Sequence, residues 1–187
     1  MTKPALLTLL CLAAHPVAAS GIEEGMKSYV EGEVRAWFAE AAIVAAVQGA
    51  NLAHAGLSPA DISTLDAQWQ AEIGTDSALI KQVTDNAASS YLRERIAASD
   101  GKVTELIVMD NTGLNVAISD ITSDYFQGDE DKFQKTFPLG PAAFHISEVE
   151  LDESTQTYQA QLSFTLTDPA TGAPIGAVTV GVNAESF

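Results

Sequence analysis

Cysteine is almost missing from this chain, with one in 187 residues, Cys11. It sits in a short apolar run, Ala5 to Ala14, behind the single positive charge of Lys3 and ahead of the small residues Val17-Ala18-Ala19. That order marks a secretory signal peptide over residues 1–19, with cleavage expected after Ala19. The run is shorter than the roughly 20 apolar residues that cross a bilayer as a helix. Leu9-Leu10 stand where a lipidation site before Cys11 has small residues. The exported chain, residues 20–187, then has no thiol, so disulfides, cysteine nucleophiles and cysteine-based zinc sites are excluded. An exported, disulfide-free protein fits a Gram-negative periplasm. Its stability must come from its core, and roughly 165 residues suffice to bury about 70% of the unfolded surface.

Histidine and basic residues are also scarce. Beyond the signal only His54 and His145 remain, and 9 Lys+Arg face 25 Asp+Glu, a formal charge of −16. Such a surface repels nucleic acid and anionic lipid and favours cationic or zwitterionic ligands or a basic partner. The sequence contains no H-E-x-x-H, G-x-S-x-G, P-loop or G-x-G-x-x-G pattern. Asp120, Asp124, Asp129, Glu130 and Asp131 are dense, but Tyr125 occupies the sixth place of a calcium loop counted from Asp120, where glycine is required. Neither enzymatic activity nor a metal or cofactor is expected.

The chain does have two regular halves. In the helical half, 23–99, apolar residues recur at Met26, Val30, Val34, Trp37, Ala41, Val44 and Ala45, predicting one long helix from Glu23 to about His54. Ser58-Pro59-Ala60-Asp61 starts a second helix, with Ser58 as cap and Asp61 complementing the dipole, and it ends near Gly74. A third, capped by Asp76 or Ser77, runs through Ile80, Val83, Leu92 and Ile96 to Ser99-Asp100-Gly101. The small residues Ala39, Ala41, Ala42, Ala45 and Ala46 suggest a homodimer through parallel N-terminal helices.

The second half, 103–187, is a small sheet. ELIVMD and LNVAISD flank the tight turn Asp110–Gly113; FHISEVELD, QTYQAQLSFTLTD and PIGAVTVGVNAE supply three more strands. Along the fourth, Tyr158, Ala160, Leu162, Phe164 and Leu166 point one way and Gln159, Gln161, Ser163, Thr165 and Thr167 the other. Between the second and third strands, TSDYFQGDEDKFQKTF forms a loop-and-helix insert that serves as one wall of a pocket. The whole is one α+β domain.

Three motifs in this order, Asp110–Gly113 (D-x-x-G), Asp124–Phe126 (DYF) and Asp168–Gly176 (D-P-x-T-G-x-x-I-G), resemble the single Cache (PDC) domains, PAS-like extracytoplasmic sensors. The resemblance spans roughly Glu23 to Glu185. It implies a five-stranded antiparallel sheet flanked by a long N-terminal helix and further helices. It also implies a pocket under the insert for carboxylates, amino acids or amines. Family members are usually receptors with a membrane helix on each side of the domain. This chain reads as starting with a cleavable signal and ending at Phe187 without a second membrane helix, so any signal passes by contact with a membrane receptor or kinase.

The expected ligand-binding residues are Asp120, Asp124, Tyr125, Phe126, Gln127 and His145. Tyr125 and Phe126 offer walls and a hydroxyl, Gln127 an amide, His145 an imidazole at the pocket mouth, and the aspartates a site for an amine. Lys132 and Lys135, on the short helix, read as solvated. The expected function is a periplasmic small-molecule-binding sensor; the alternative is an interaction module with a filled pocket that works through its N-terminal helix. On export, the mature protein is expected to begin at Ser20 or Gly21. Intact-mass measurement of the exported protein checks this, and a chain retaining Met1 contradicts it.

Overall fold

The computed structural model describes residues 16–152 and 156–187; the apolar run 5–14 read as the signal core lies outside them. The helical half comprises α1 (Pro16–Gly32), a 3-10 turn (Val34–Ala39), α2 (Ala41–His54), α3 (Pro59–Glu72), α4 (Ala78–Thr84) and α5 (Ala87–Ala97). The sheet half comprises β1 (Val103–Met109), β2 (Asn115–Ile118), the short α6 (Asp131–Gln134), β3 (Phe144–Ile146), β4 (Glu150–Asp152), β5 (Thr157–Thr167) and β6 (Pro174–Asn183). The strands form one open antiparallel sheet in the order β2-β1-β6-β5-β3, with β4 also on β5.

Both faces of this sheet are covered. On one, Leu106, Val108, Leu162, Phe164, Val178 and Val180 pack against Met26 and Val30 of α1, Val34 and Phe38 of the 3-10 turn, Ile43 and Val47 of α2 and Leu92 of α5. On the other, Ile107, Met109 and Ala177 meet Trp69 of α3, Ile80 and Val83 at α4, and Tyr125 and Phe133 of the insert. Because successive strand residues point to opposite faces, covering both buries nearly every position of β6. The alternation expected in β5 holds, and its polar side is buried at mid-strand. Ser163 and Thr179 are fully buried and share a hydrogen bond of 3.0 Å, and Thr165 donates to the Gly140 carbonyl at 2.8 Å. Tyr158 alone departs, half exposed where the strand runs past its helical cover.

Several predicted elements are divided. The expected helix from Glu23 to His54 bends by 71° at Glu40, whose ψ of 132° leaves the helical region. The bend lets Val34 and Phe38 before it and Ile43 and Val47 after it lie on the same twisted sheet. Ala41 and Ala45 face outward, opposite the side that packs. Among the described residues no single helix is long and apolar enough to cross a membrane. The expected third helix breaks at Asn86, which caps α5 by accepting from the Ser89 N–H at 2.8 Å. Asparagine competes with helical hydrogen bonds and gains more at a cap than inside. The third expected strand is split into β3 and β4 after Ser147, whose N–H donates to the Gln161 carbonyl at 2.9 Å while its hydroxyl, in place of a backbone carbonyl, accepts from the Gln161 N–H at 2.9 Å. That split is why the sheet counts six strands.

Other local signals act as expected. Ser58 and Asp61 form a full capping box with Pro59 in the first turn. Gly113 closes the β1–β2 turn at φ 89°, and a Cβ there would stand 2.4 Å from the Gly128 Cα, so only glycine fits. Asn86 also donates to the Val83 and Val116 carbonyls, each at 3.0 Å, tying the helix junction to the outer edge of β2. Asn86→Ala removes a cap worth about 1 kcal/mol and leaves a strand carbonyl bare for about 1–2 kcal/mol more. Urea denaturation is expected to show a lower midpoint by the equivalent of about 2–3 kcal/mol with an unchanged slope.

Candidate ligand-binding site

The insert between β2 and β3 is held at both ends. The Asp66 carboxylate of α3 accepts from the Tyr125 and Phe126 N–H groups at 2.8 and 2.9 Å. Trp69, one turn further along α3, stacks on the Tyr125 ring at 5.3 Å and donates its indole N–H to the Thr122 carbonyl at 2.8 Å. The Gln127 N–H donates to Gly113 O at 2.8 Å, fastening the loop to the β1–β2 turn. At the far end, Gly140 is bound by Thr165, and Phe133 stacks on Phe137 at 5.6 Å beneath α6.

This anchoring leaves a cleft between α6 and strands β3 to β5. Its volume is about 400 Å³, lined by Glu130, Lys132, Lys135, His145, Ser147 and Gln161 among others. An adjoining lobe of about 350 Å³ runs along β4 toward Asp152 and Gln159. Lys132 is the notable cation. Its side chain is only 13% exposed, and its ammonium donates to Glu130 Oε2 at 3.0 Å and Gln127 Oε1 at 3.1 Å. Two of its three N–H bonds are engaged, and one remains for a ligand. Behind Gln161, which donates to it at 3.2 Å, lies Glu105; burial pushes its carboxyl above the usual carboxylate range, opposed by the Lys132 charge. Glu130, Glu148 and Glu150 add carboxylates at the cleft wall. One enclosed cation facing several carboxylates can hold a group that carries both signs, or an amine.

The six expected residues do not share one cavity. His145 lies in the cleft wall, and Gln127, buried behind it, does not line the cleft but accepts from Lys132 through its Oε1. Burial first, then Lys135, lowers the His145 pKa. Tyr125 packs on Trp69 and faces a different cavity at the edge of β2, because Asp66 and the Asn115 N–H, which donates to the Tyr125 carbonyl at 3.0 Å, fix its backbone. Phe126 turns to an outer groove beside Leu57 and Ile62. Asp120 accepts from the Ile121 N–H at 2.7 Å and so serves its own loop, while Asp124 accepts from Ser123 at 2.6 Å and from Gln70 of α3 at 2.7 Å and so ties the loop to that helix. Lys132, read as solvated, is enclosed. Glu105, Gln161, Asp66 and Trp69 escaped the sequence reading; only the alternation of β5 pointed to Gln161.

No protein-family model and no curated protein matches the sequence. Similar solved structures include the sensory domain of the Campylobacter jejuni chemoreceptor Tlp3 (CcmL), with TM-score 0.43, 12% identity, and 92% of this chain and 66% of that chain covered. The same domain with isoleucine bound has TM-score 0.40, 12% identity, and coverage of 93% and 66%. The extracellular domain of the histidine kinase vpHK1S-Z8 has TM-score 0.46, 9% identity, and coverage of 91% and 55%. The chain thus spans between about half and just under two thirds of these proteins' length. These neighbours are sensory and extracellular domains.

The raised carboxyl of Glu105 means that folding favours its neutral form. Its contribution to stability is present below the ordinary glutamate pKa of about 4.3 and is lost as pH rises through the higher folded value. Glu105→Gln keeps a partner for Gln161 and removes that loss. It is expected to raise the thermal midpoint at pH 7, by about 2–4 °C per kcal/mol relieved, with the gain vanishing at pH 4. Scanning calorimetry across pH checks this; an equal gain at both pH values contradicts it.

Proposed function

We propose that this protein is an exported small-molecule-binding sensor module that takes a zwitterionic or amine-bearing ligand in the cleft beneath the insert. Occupancy is then passed to a membrane receptor or kinase. The observation that carries this reading is Lys132, an enclosed ammonium with one N–H unspent at the wall of a polar cleft. The carboxylates of Glu130, Glu148 and Glu150 supply the opposite sign at the same wall. The acidic chain favours a ligand with a positive group. The ordered Asp110–Gly113, Asp124–Phe126 and Asp168–Gly176 motifs support the sensor class. An interaction module with a filled pocket would place Tyr125 and Phe126 inside the cleft; both lie outside it.

A thermal-shift screen of residues 20–187 against amino acids, amines, carboxylates and purines tests the reading. A ligand at 100 times its Kd adds about 2.7 kcal/mol. Removing one hydrogen bond to a charged group costs about 1.5–3 kcal/mol, so Lys132→Met is expected to weaken a zwitterionic ligand, whose acceptor group takes the Lys132 N–H, tenfold or more by calorimetry. Unchanged affinity places the site elsewhere, and a screen without any amine or amino-acid shift counts against the ligand class.

A further inference from the structure

The helix-covered face of β5 carries a cation of a different kind from Lys132. Arg35 of the 3-10 turn is half-buried, its guanidinium carbon 4.3 Å from the centre of the Phe164 ring and 5.9 Å from that of Phe144. Those two rings stack at 6.4 Å, and Phe38 meets Phe164 edge-on at 5.6 Å. The cation thus rests on a fixed aromatic bed. Lys27 of α1 approaches the same Phe144 ring to 5.9 Å and adds a second positive charge. Beside Arg35 lies a hollow of about 110 Å³, with Phe38, Ala39, Leu166 and Pro169 in its wall.

The Arg35 guanidinium carries N–H donors in a planar fork and no acceptor. Among the described residues no hydrogen bond or ion pair engages any of them, and none of its nitrogens is sealed from the surface. Two neighbouring carboxylates leave it free. Asp168, next to Pro169, accepts from the Gln48 side chain at 3.1 Å with one oxygen and from the Ala170 N–H at 2.7 Å with the other. Glu31, four residues before Arg35, acts on its charge from beyond ion-pair distance; burial lowers the Arg35 pKa, and Glu31 opposes that shift. A half-buried charge is costly unless it is hydrogen-bonded. A guanidinium lying over an aromatic ring keeps its in-plane fork for a planar acceptor with two oxygens.

We propose that Arg35 anchors a second binding site, for a carboxylate on a short apolar stem, on the side of β5 away from the insert cleft. The two carboxylate oxygens take the guanidinium fork, and the stem lies against Phe38, Ala39, Leu166 and Pro169. A free aliphatic acid and an exposed glutamate side chain of another protein share that chemistry. An amine meets only like charge at Arg35 and Lys27, so this site and the cleft select opposite signs.

The test follows the Arg35 Nε–H signal of the exported protein by NMR, with chloride holding the ionic strength constant. Butyrate or the peptide acetyl-Gly-Glu-Gly-amide is expected to shift it saturably. Butyramide, butylamine and the matching glutamine peptide are expected to leave it in place. A response to butyrate alone assigns a free acid, and a response to the glutamate peptide alone assigns a protein side chain. Arg35→Lys keeps the charge but loses the fork, and is expected to bind roughly tenfold more weakly or worse. Glu31→Gln is expected to strengthen binding, and Lys132→Met to leave it unchanged, which separates this site from the cleft. An Arg35 signal unmoved by both carboxylates, an equal response to butyramide, or undiminished binding in Arg35→Lys overturns the proposal. The wild-type comparison decides this even if Arg35→Lys fails to fold.

Discussion

The outer edge of β2 is the constraint around which much of this fold is arranged. An edge strand presents unpaired N–H and C=O groups that must find partners. Here they find them in side chains and a loop. The Val116 carbonyl accepts from Asn86, the Ile118 N–H donates to the Ser89 hydroxyl at 3.0 Å, and the Asn115 N–H donates to the Tyr125 carbonyl. A four-residue strand is thereby closed without a neighbouring strand. The same bonds set where α4 gives way to α5, where the insert leaves the sheet, and where the cavity faced by Tyr125 opens.

How much of this was legible followed the range of the interaction. Ser58 with Asp61, the turn at Gly113 and the alternation of β5 are contained within a few residues, and each was readable. The bend at Glu40 and the break at Asn86 were not, because the helical periodicity continues through both. What interrupts it is the curvature of the sheet in one case and the Val116 carbonyl, 30 positions away, in the other. The site was least legible of all. Asp66 reaches Tyr125 across 59 positions and His54 reaches Asp110 across 56. The adjacency of Tyr125, Phe126 and Gln127 in sequence suggested one cavity, yet Tyr125 and Phe126 line two different ones and Gln127 is buried against Lys132 and the Asp124 carbonyl.

Charge follows the same division. The acidic residues, which outnumber the basic ones, are mostly exposed among the described residues, and composition alone gives them only a general preference for positive partners. Their effect becomes specific where a basic group is enclosed with them, as Lys132 is beside Glu130 and Gln127, or where a carboxylate is buried, as in Glu105 and Asp110.

Strand β5 has a mechanical property that follows from its two covered sides. Gln161 looks into the cleft, while Leu162 and Phe164 are embedded among the N-terminal helices, where the Phe164 ring meets Phe38 edge-on at 5.6 Å with Arg35 above it at 4.3 Å. These neighbours are joined by a few stiff peptide units within a hydrogen-bonded ladder. A displacement of the strand at the cleft is therefore a displacement against the 3-10 turn as well. The two sides of the domain are joined through one strand.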